Sequence, residues 1–398
     1  MEHIRIGKTK RLLAGHQWVF SNELAQSPAG FTPGQLVELH DNRDNFLGVG
    51  YVNPHSLIAI RVLTREREEI DAAFFRKRML EAARFRESFF VKGANAFRLI
   101  YSESDRLPGL IVDKYNDVLS VQILTAGMEA LKEMVLESLH GLFSPRAIVF
   151  RNDSRMRTLE GLPLYKKVAK GELGPLPVIE EEGVMFEVDP LEGQKTGFFL
   201  DQRENRAALK KIIREGRGLD LFSYAGGWGV HLAHSGAHEV TCVDESEKAL
   251  AMAKRNAELN GLAGKMEFLK ADVFDFLKER ARADGEKKDK DRKYDFVVLD
   301  PPAFVKSGKK LKEAVKAYTT LNGLCMRLLK PGGVLATSSC SWHLGQAEFM
   351  EMLRDAAHRH AEGRKINLLE LRFQGRDHPA LLSMPETGYL KCAFLVAG

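Results

Sequence analysis

The residues with the clearest chemical potential cluster in the second half of the 398-residue chain. Four acids stand in or at the ends of short apolar runs: Asp220 within GLDLFSY, Asp244 closing EVTCVD, Asp272 after MEFLKA, and Asp300 closing YDFVVLD. The first is followed by a glycine turn, Gly226, Gly227 and Gly229. Glycines pass through positive φ and let a ligand approach the main chain. The spacing is not GxGxxG, and an acid precedes the glycines, which disfavours a dinucleotide pyrophosphate on the helix that follows. A carboxylate beside such a turn suits a ligand carrying an ammonium, and S-adenosylmethionine carries both an ammonium and a sulfonium. The candidates to hold it are Asp220, Phe222, Tyr224, Ala225, Gly226 and Gly229. Asp244 fits the two ribose hydroxyls, as acids at that position do in related folds. Asp272 is placed to meet the adenine amino group. Each acid alone also fits a helix N-cap; three at successive strand ends, with the glycines, favour the cofactor.

The fourth acid opens Asp300-Pro301-Pro302-Ala303-Phe304. Two prolines fix φ and stiffen the turn. Asp300 and Pro301 are expected against the cofactor, and Pro302 and Phe304 against a planar base hydrogen-bonded by Asp300. Similar turns serve enzymes that methylate exocyclic amines, so the motif does not choose the atom attacked. The next apolar run ends in Thr337-Ser338-Ser339-Cys340-Ser341. A buried strand cysteine is ordinarily a small hydrophobe, and Cys242, Cys325 and Cys392 are read that way. Cys340 sits among hydroxyls at the ligand end of the sheet, beside the strand of Asp300. Carbon 5 of cytosine accepts a methyl group once a thiolate has added at carbon 6, a covalent route that splits one hard step into two. An unperturbed thiol is mostly protonated at neutral pH, so Cys340 needs local activation, whose source the sequence does not identify.

These positions require a scaffold. From about residue 184 onward, strands and helices alternate, which implies βαβ units and a mostly parallel, doubly wound sheet. Ligands then sit at the carboxyl ends of its strands. Residues 1–68 read as short strands, among them the pair in GQLVELHDNRDNFLGVGYV and SLIAIRVLT, suggesting a small barrel. Residues 69–183 read as mixed α/β, starting with a helix N-capped by Asp71, then FRLIYSES, LPGLIVDKYNDVLSVQIL, a helix GMEALKEMVLESLHGLF, and AIVFRND. The mixed-charge run at 277–293 reads as a solvated helix end and loop.

Composition sets the bounds. Hydrophobic residues are 44% and charged residues 28%, which excludes wholesale disorder. The net charge of +5 permits a polyanionic partner without requiring one. Four cysteines without a CxxC pair exclude a disulfide framework and disfavour structural zinc. His343, His358 and His360 form no ligand pattern, so no metal is expected. No signal-like or membrane-spanning apolar run appears, and a cytoplasmic location without membrane association is expected.

GHQWVFSNEL (15–24), ESDRLPGLIVDKY (103–115), QKTGFFLDQRENR (194–206), LDLFSYAGGWG (219–229), LDPPAF (299–304), SSCS (338–341) and RDHPALLSMPETGYLK (376–391) together carry a resemblance across nearly the whole chain. The chain resembles the bacterial cytosine-5 methyltransferases of large-subunit ribosomal RNA, the RlmI type. The resemblance implies a PUA-like RNA-binding domain (1–68), a central α/β domain (69–183) and a Rossmann-like class I methyltransferase domain (184–398). It implies S-adenosylmethionine as cofactor, ribosomal RNA as partner and Cys340 as nucleophile. It places Asp300 on the cytosine near nitrogen 3, and Phe198, Asp201 and Arg203 in a wall near the cofactor or base. A homodimer is compatible with it. Many RNA cytosine-5 methyltransferases carry a second cysteine in the turn after the fourth strand. Here that turn is DPPAF, so removal of the carbon 5 proton has no assigned residue.

Phosphate contacts are expected from Arg5, Lys8, Lys10 and Arg11 near Trp18 and Phe20, and from Arg151, Arg155, Arg157, Lys166 and Lys167. Competing readings are a methyltransferase acting on another base atom, a non-catalytic RNA-binding assembly factor, and a nicotinamide oxidoreductase disfavoured by the missing fingerprint.

Overall fold

The computed structural model describes residues 1–90, 93–286, 293–304, 311–361 and 363–398. The chain folds into two compact units. One comprises Met1–Ile179, Val188–Leu200 and Arg376–Thr387; the other comprises Glu180–Glu187, Asp201–Gly375 and Gly388–Gly398.

The first unit begins with β1 (Glu2–Arg5), the short helix α1 (Lys10–Leu13), β2 (Trp18–Val19), β3 (Leu36–His40), β4 (Phe46–Val52) and β5 (Ile60–Thr64). They form one sheet in the order β1-β3-β4-β5-β2, with the expected β3–β4 hairpin in place. Helix α2 (Ala72–Phe89) follows, and the Asp71 carboxylate accepts the Phe74 N–H at 2.8 Å, the expected N-cap. Its buried face carries Phe75, Met79 and Ala82, one helical stripe. Two of its arginines, Arg78 and Arg86, are buried as well. Arg86, 2% exposed, is held inside by the Asp105 carboxylate and by the carbonyls of Arg98 and Asp377.

A second sheet is built from β6 (Ala96–Tyr101), β7 (Leu110–Tyr115), β8 (Val118–Ile123), β9 (Ala147–Asn152) and β10 (Tyr165–Gly171), in the order β10-β9-β8-β7-β6. The helix expected after β8 is two, α3 (Ala126–Ala130) and α4 (Lys132–Phe143), joined at Leu131. Tyr51 joins the two sheets: its Oη donates to the Pro108 carbonyl at 2.8 Å, and its ring fills the space where a Cβ on Gly127 would stand, 2.0 Å away. Gly127 is glycine because the ring needs that close approach.

The chain enters the second unit through the hairpin β11 (Val178–Glu181) and β12 (Val184–Glu187). Then come α5 (Arg203–Lys210), β13 (Gly216–Leu221), α6 (Gly227–His234), β14 (Ala237–Asp244), α7 (Glu247–Leu259), β15 (Met266–Lys270), α8 (Val273–Glu286), β16 (Tyr294–Leu299), α9 (Leu311–Leu328), β17 (Leu329–Ser339), α10 (Gln346–His360), β18 (Ile366–Arg372) and β19 (Lys391–Ala397). The sheet runs β15-β14-β13-β16-β17-β19-β18. β13 to β17 are mutually parallel; β19 runs antiparallel between β17 and β18. The order reverses at β13, so the switch point lies between its carboxyl end and that of β16. Helices α9 and α10 pack a core of Tyr318, Leu321, Phe349 and Met352 against the strands. The charged run at 277–293 starts within α8; its residues 287–292 lie outside the described residues.

Candidate functional site

The turn after β13 is the most constrained backbone of the second unit. Phe222 (φ +60°), Tyr224 (φ +47°) and Gly226 (φ +77°) are all left-handed. Holding two aromatic residues there costs about 1 kcal/mol or more each. The hydrogen bonds that hold them come from the neighbouring acids. Asp244 Oδ2 accepts the Tyr224 N–H at 2.9 Å, and its Oδ1 accepts the Ser246 N–H at 2.9 Å. Asp220, fully buried in β13, accepts the Gly229 N–H on Oδ2 at 2.7 Å. Its Oδ1 is buried with no hydrogen-bond partner. Burial, reinforced by Asp300 and Asp244 and opposed by the Gly229 N–H, pushes the Asp220 carboxyl up to about 8. A Cβ on Gly229 would lie 2.5 Å from Cys242 Sγ and 3.0 Å from Asp220 Oδ2, so this helix start admits only glycine without repacking.

Three carboxylates that feel one another at one end of the sheet are an electrostatic deficit that a cationic ligand offsets. The unpartnered Asp220 oxygen and the left-handed turn point the same way. These residues therefore fit S-adenosylmethionine.

Asp300 sits half-buried just beyond β16, held at both oxygens. Gln202 Nε2 donates to Oδ1 at 3.1 Å and Trp228 Nε1 to Oδ2 at 3.0 Å. Gln202 also donates to Ser338 Oγ at 3.0 Å, and its Oε1 accepts from Asn205 Nδ2 at 2.7 Å, fixing the amide orientation. Asp300 is thereby tied to the β17 strand that precedes Cys340. Pro301 is buried and Pro302 exposed. Phe304 packs among Phe222, Phe274 and Tyr318, the last with ring centroids 4.8 Å apart. Tyr318 Oη lies 3.4 Å from the Pro302 carbonyl and 3.1 Å from Ser341 Oγ, tying the proline turn to the residue after Cys340.

Cys340 follows β17 directly and is partly exposed, whereas Cys242, Cys325 and Cys392 are buried. Burial pushes the Cys325 thiol far up and the Cys392 thiol up to about 12, so these sulfurs stay protonated. Only Cys340 combines access with a place at the carboxyl end of the sheet.

The remaining candidates divide. Asp272 is exposed and caps α8, accepting the Asp275 N–H at 3.0 Å. Asp201 is buried, its Oδ2 accepting from Tyr389 Oη at 2.6 Å. Arg203 is 4% exposed, and its guanidinium donates to the Glu180 carbonyl at 3.4 Å. Phe198 belongs to the first unit, its N–H donating to Tyr115 Oη at 3.0 Å. Sequence reasoning named the FFLDQR stretch but passed over Gln202, and it named the glycine turn without using Trp228. An amide or indole gives no sign in one sequence that it will meet a carboxylate far along the chain.

Several members of the basic clusters are engaged by neighbouring groups. Arg157 is fully buried and ion-paired to Glu129 at 2.9 Å; Arg151, 3% exposed, pairs with Asp153. Lys166 pairs with Glu192, and Arg5 with Asp44. Arg11 stacks over Phe20 at 4.6 Å, and the Trp18 indole donates to Glu103 Oε1 at 2.8 Å.

Residues 3–65 match the PUA-like domain family, and residues 150–373 match the S-adenosylmethionine-dependent methyltransferase family. The chain is 41% identical over 389 residues to ribosomal RNA large subunit methyltransferase I of Aeromonas salmonicida, covering 97% of this chain and 96% of that protein. It is 40% identical to the protein of the same name from Vibrio cholerae, over 97% and 96% of the two chains. Among solved structures it resembles a putative SAM-dependent methyltransferase from Streptococcus mutans, with TM-score 0.83, 22% identity and 100% of both chains covered. A putative methyltransferase complexed with SAH, SMU.776, gives TM-score 0.84 at 22% identity, again over 100% of both chains. At that identity the two structures speak for the fold.

Proposed function

The chain belongs to the ribosomal RNA large subunit methyltransferase I family of S-adenosylmethionine-dependent enzymes, and we propose that it methylates carbon 5 of a cytosine in large-subunit ribosomal RNA through a Cys340 adduct. The observation that carries the reading is the exposure contrast among the cysteines: the one reachable sulfur stands at the ligand end of the sheet, one strand from Asp300.

The bound cofactor supplies an electrophilic methyl group. Cys340 Sγ, as thiolate, forms a bond to carbon 6 of the ring and makes carbon 5 enamine-like. The charge pushed into the ring collects at nitrogen 3, where Asp300 contacts the base and steadies it. Gln202 and Trp228 hold that carboxyl in register, as positioning residues. Once carbon 5 carries the methyl group, its proton leaves to a base, the carbon 6–sulfur bond breaks, and the thiolate is regenerated. Asp220, Asp244 and the 222–229 turn hold the cofactor, and Pro302 borders the base; the capping acid Asp272 lies at the adenine end. Asp201 and Arg203 support the wall around the site from inside.

The division at 1–68, 69–183 and 184–398 is part of this proposal. A core of Ile4, Val37, Leu39 and Ile60 under the first sheet alone supports its first boundary, although Val49, Tyr51 and Leu63 of that sheet also enter the core of the second; the PUA-like sheet is the RNA-binding element. The test is transfer of labelled methyl to ribosomal RNA by wild type and Cys340→Ala, followed by nucleoside analysis. The expected result is 5-methylcytidine with wild type and none with the variant. Robust methylation by Cys340→Ala would move the reaction to another base atom.

A further inference from the structure

An unpaired thiol is mostly protonated at neutral pH, so a cysteine nucleophile needs a nearby positive charge. Strand pairing supplies one. Lys391 opens β19, opposite Ser339 in register. Its Nζ donates to the Ser341 carbonyl at 2.7 Å and to the Tyr389 carbonyl at 2.8 Å. The side chain is thus anchored on both sides of Cys340, at residue 339 by backbone pairing and at residue 341 by its ammonium. Lys391 is 6% exposed, and among the described residues no carboxylate forms an ion pair with it. A buried ammonium without a counter-charge is costly. Two carbonyls engage two of its three N–H bonds, leaving the net charge to be offset.

We propose that Lys391 is a positioning residue that holds Cys340 as a thiolate, the two forming an ammonium–thiolate pair at the end of β17. The inference rests on the reading of Cys340 as the nucleophile. The groups around the pair sharpen the need for it. The Tyr318 hydroxyl from α9 lies 3.1 Å from Ser341 Oγ, next to Cys340, Glu348 from α10 acts on the ammonium, and Asp300 stands at the end of the neighbouring strand. Glu348 and Asp300 carry acidic side chains, so a thiolate near them is disfavoured unless a cation compensates; the Tyr318 phenol, pushed up by burial, stays neutral. Burial, opposed by the negative charges of Cys340 and Glu348, lowers the Lys391 ammonium to about 8. Forming the pair breaks the S–H bond and leaves its electrons on sulfur; the proton goes to solvent, or to Nζ when that amine is neutral.

The test is the pH profile of Cys340 alkylation by iodoacetamide in the full chain, read by peptide mass spectrometry. The three buried cysteines serve as internal controls. In Lys391→Met the midpoint is expected to rise by about one pH unit or more, with a roughly tenfold slower reaction at pH 7. Lys391→Arg, which keeps the cation, is expected to retain most of the wild-type profile. Adenosylhomocysteine binding reports that each variant is folded, and Lys391→Gln replaces Lys391→Met should the latter not fold. An unchanged midpoint in a folded, uncharged variant overturns the proposal, as does an Arg variant that behaves like Met. These profiles involve no RNA. A shifted midpoint alongside a failure to make 5-methylcytidine would keep the ion pair and remove the proposed reaction.

Discussion

Gly229→Ala is the sharpest perturbation of the cofactor turn. The added Cβ would stand 2.5 Å from Cys242 Sγ and 3.0 Å from Asp220 Oδ2. Neither neighbour has room to retreat, because Cys242 and Asp220 are both fully buried. Overpacking at such a site costs about 1–3 kcal/mol. The same shift lengthens the 2.7 Å bond from the Gly229 N–H to Asp220, which links the turn to the sheet. Urea denaturation should therefore show a lower midpoint at unchanged slope. Isothermal titration with adenosylhomocysteine should show an affinity lower by about tenfold, or ~1.4 kcal/mol. The clash is specific, so adding Cys242→Ala to Gly229→Ala should recover part of both losses, a favourable coupling of about 1 kcal/mol between touching sites. If Gly229→Ala unfolds and binds like wild type, or the double variant is only additively worse, the packing argument for this turn is wrong.

Other consequences follow from the buried charges. Arg206 pairs with Glu181 through two hydrogen bonds, and His231 Nε2 lies 3.1 Å from the same carboxylate. Burial opposes ionisation of Glu181, but Arg206 and His231 hold its carboxyl well below the usual range. Its stabilising effect is thus present above its unfolded pKa and lost as pH falls; Glu181→Gln should cost about 3–5 kcal/mol at pH 7 by urea unfolding, with a smaller loss at pH 3. Asp220 has the opposite sign. Its folded pKa, about 8, lies above the ordinary 3.8, so the native state binds the extra proton and stability falls as pH rises across that window. Asp220→Asn should flatten this fall between pH 5 and 8, and an identical pH slope in the variant would count against it. Gln202→Ala and Trp228→Phe each remove one hydrogen bond to Asp300. Each should lower kcat for RNA methylation about tenfold or more, and Gln202→Ala, outside the 222–229 turn, should leave adenosylhomocysteine affinity within about twofold.

Much of this architecture was legible because the signals were local. Asp71 before an apolar helical stripe, the Asp/Asn turn between β3 and β4, and strands ending in acids all announce themselves over a few residues. The elements that were missed lack such signals. β10, YKKVAKG, is a lysine-rich edge strand with no apolar alternation to mark it. β19, KCAFLVA, is buried almost throughout, so its pattern does not alternate, and its antiparallel insertion between β17 and β18 depends on pairing distant in sequence. The basic residues from Arg151 to Lys167 suggested phosphate contacts by composition alone. Glu129 and Asp153 turn two of the arginines into buried structural pairs. The same limit applies to the site. Asp300 and Cys340 were visible from their motifs, but Gln202, Trp228 and Lys391 reach them only through the fold.

Capture of the reaction on a fluorinated substrate probes the covalent claim most directly. A ribosomal RNA fragment with 5-fluorocytidine at the target keeps fluorine where the departing proton would be, so the sulfur cannot be expelled after methyl transfer. Wild type incubated with this RNA and S-adenosylmethionine should give a denaturation-resistant protein–RNA species, with the RNA remnant on the Cys340 peptide, and Cys340→Ser should give none. A cross-link of equal yield in Cys340→Ser, or a remnant on any other residue, would contradict it.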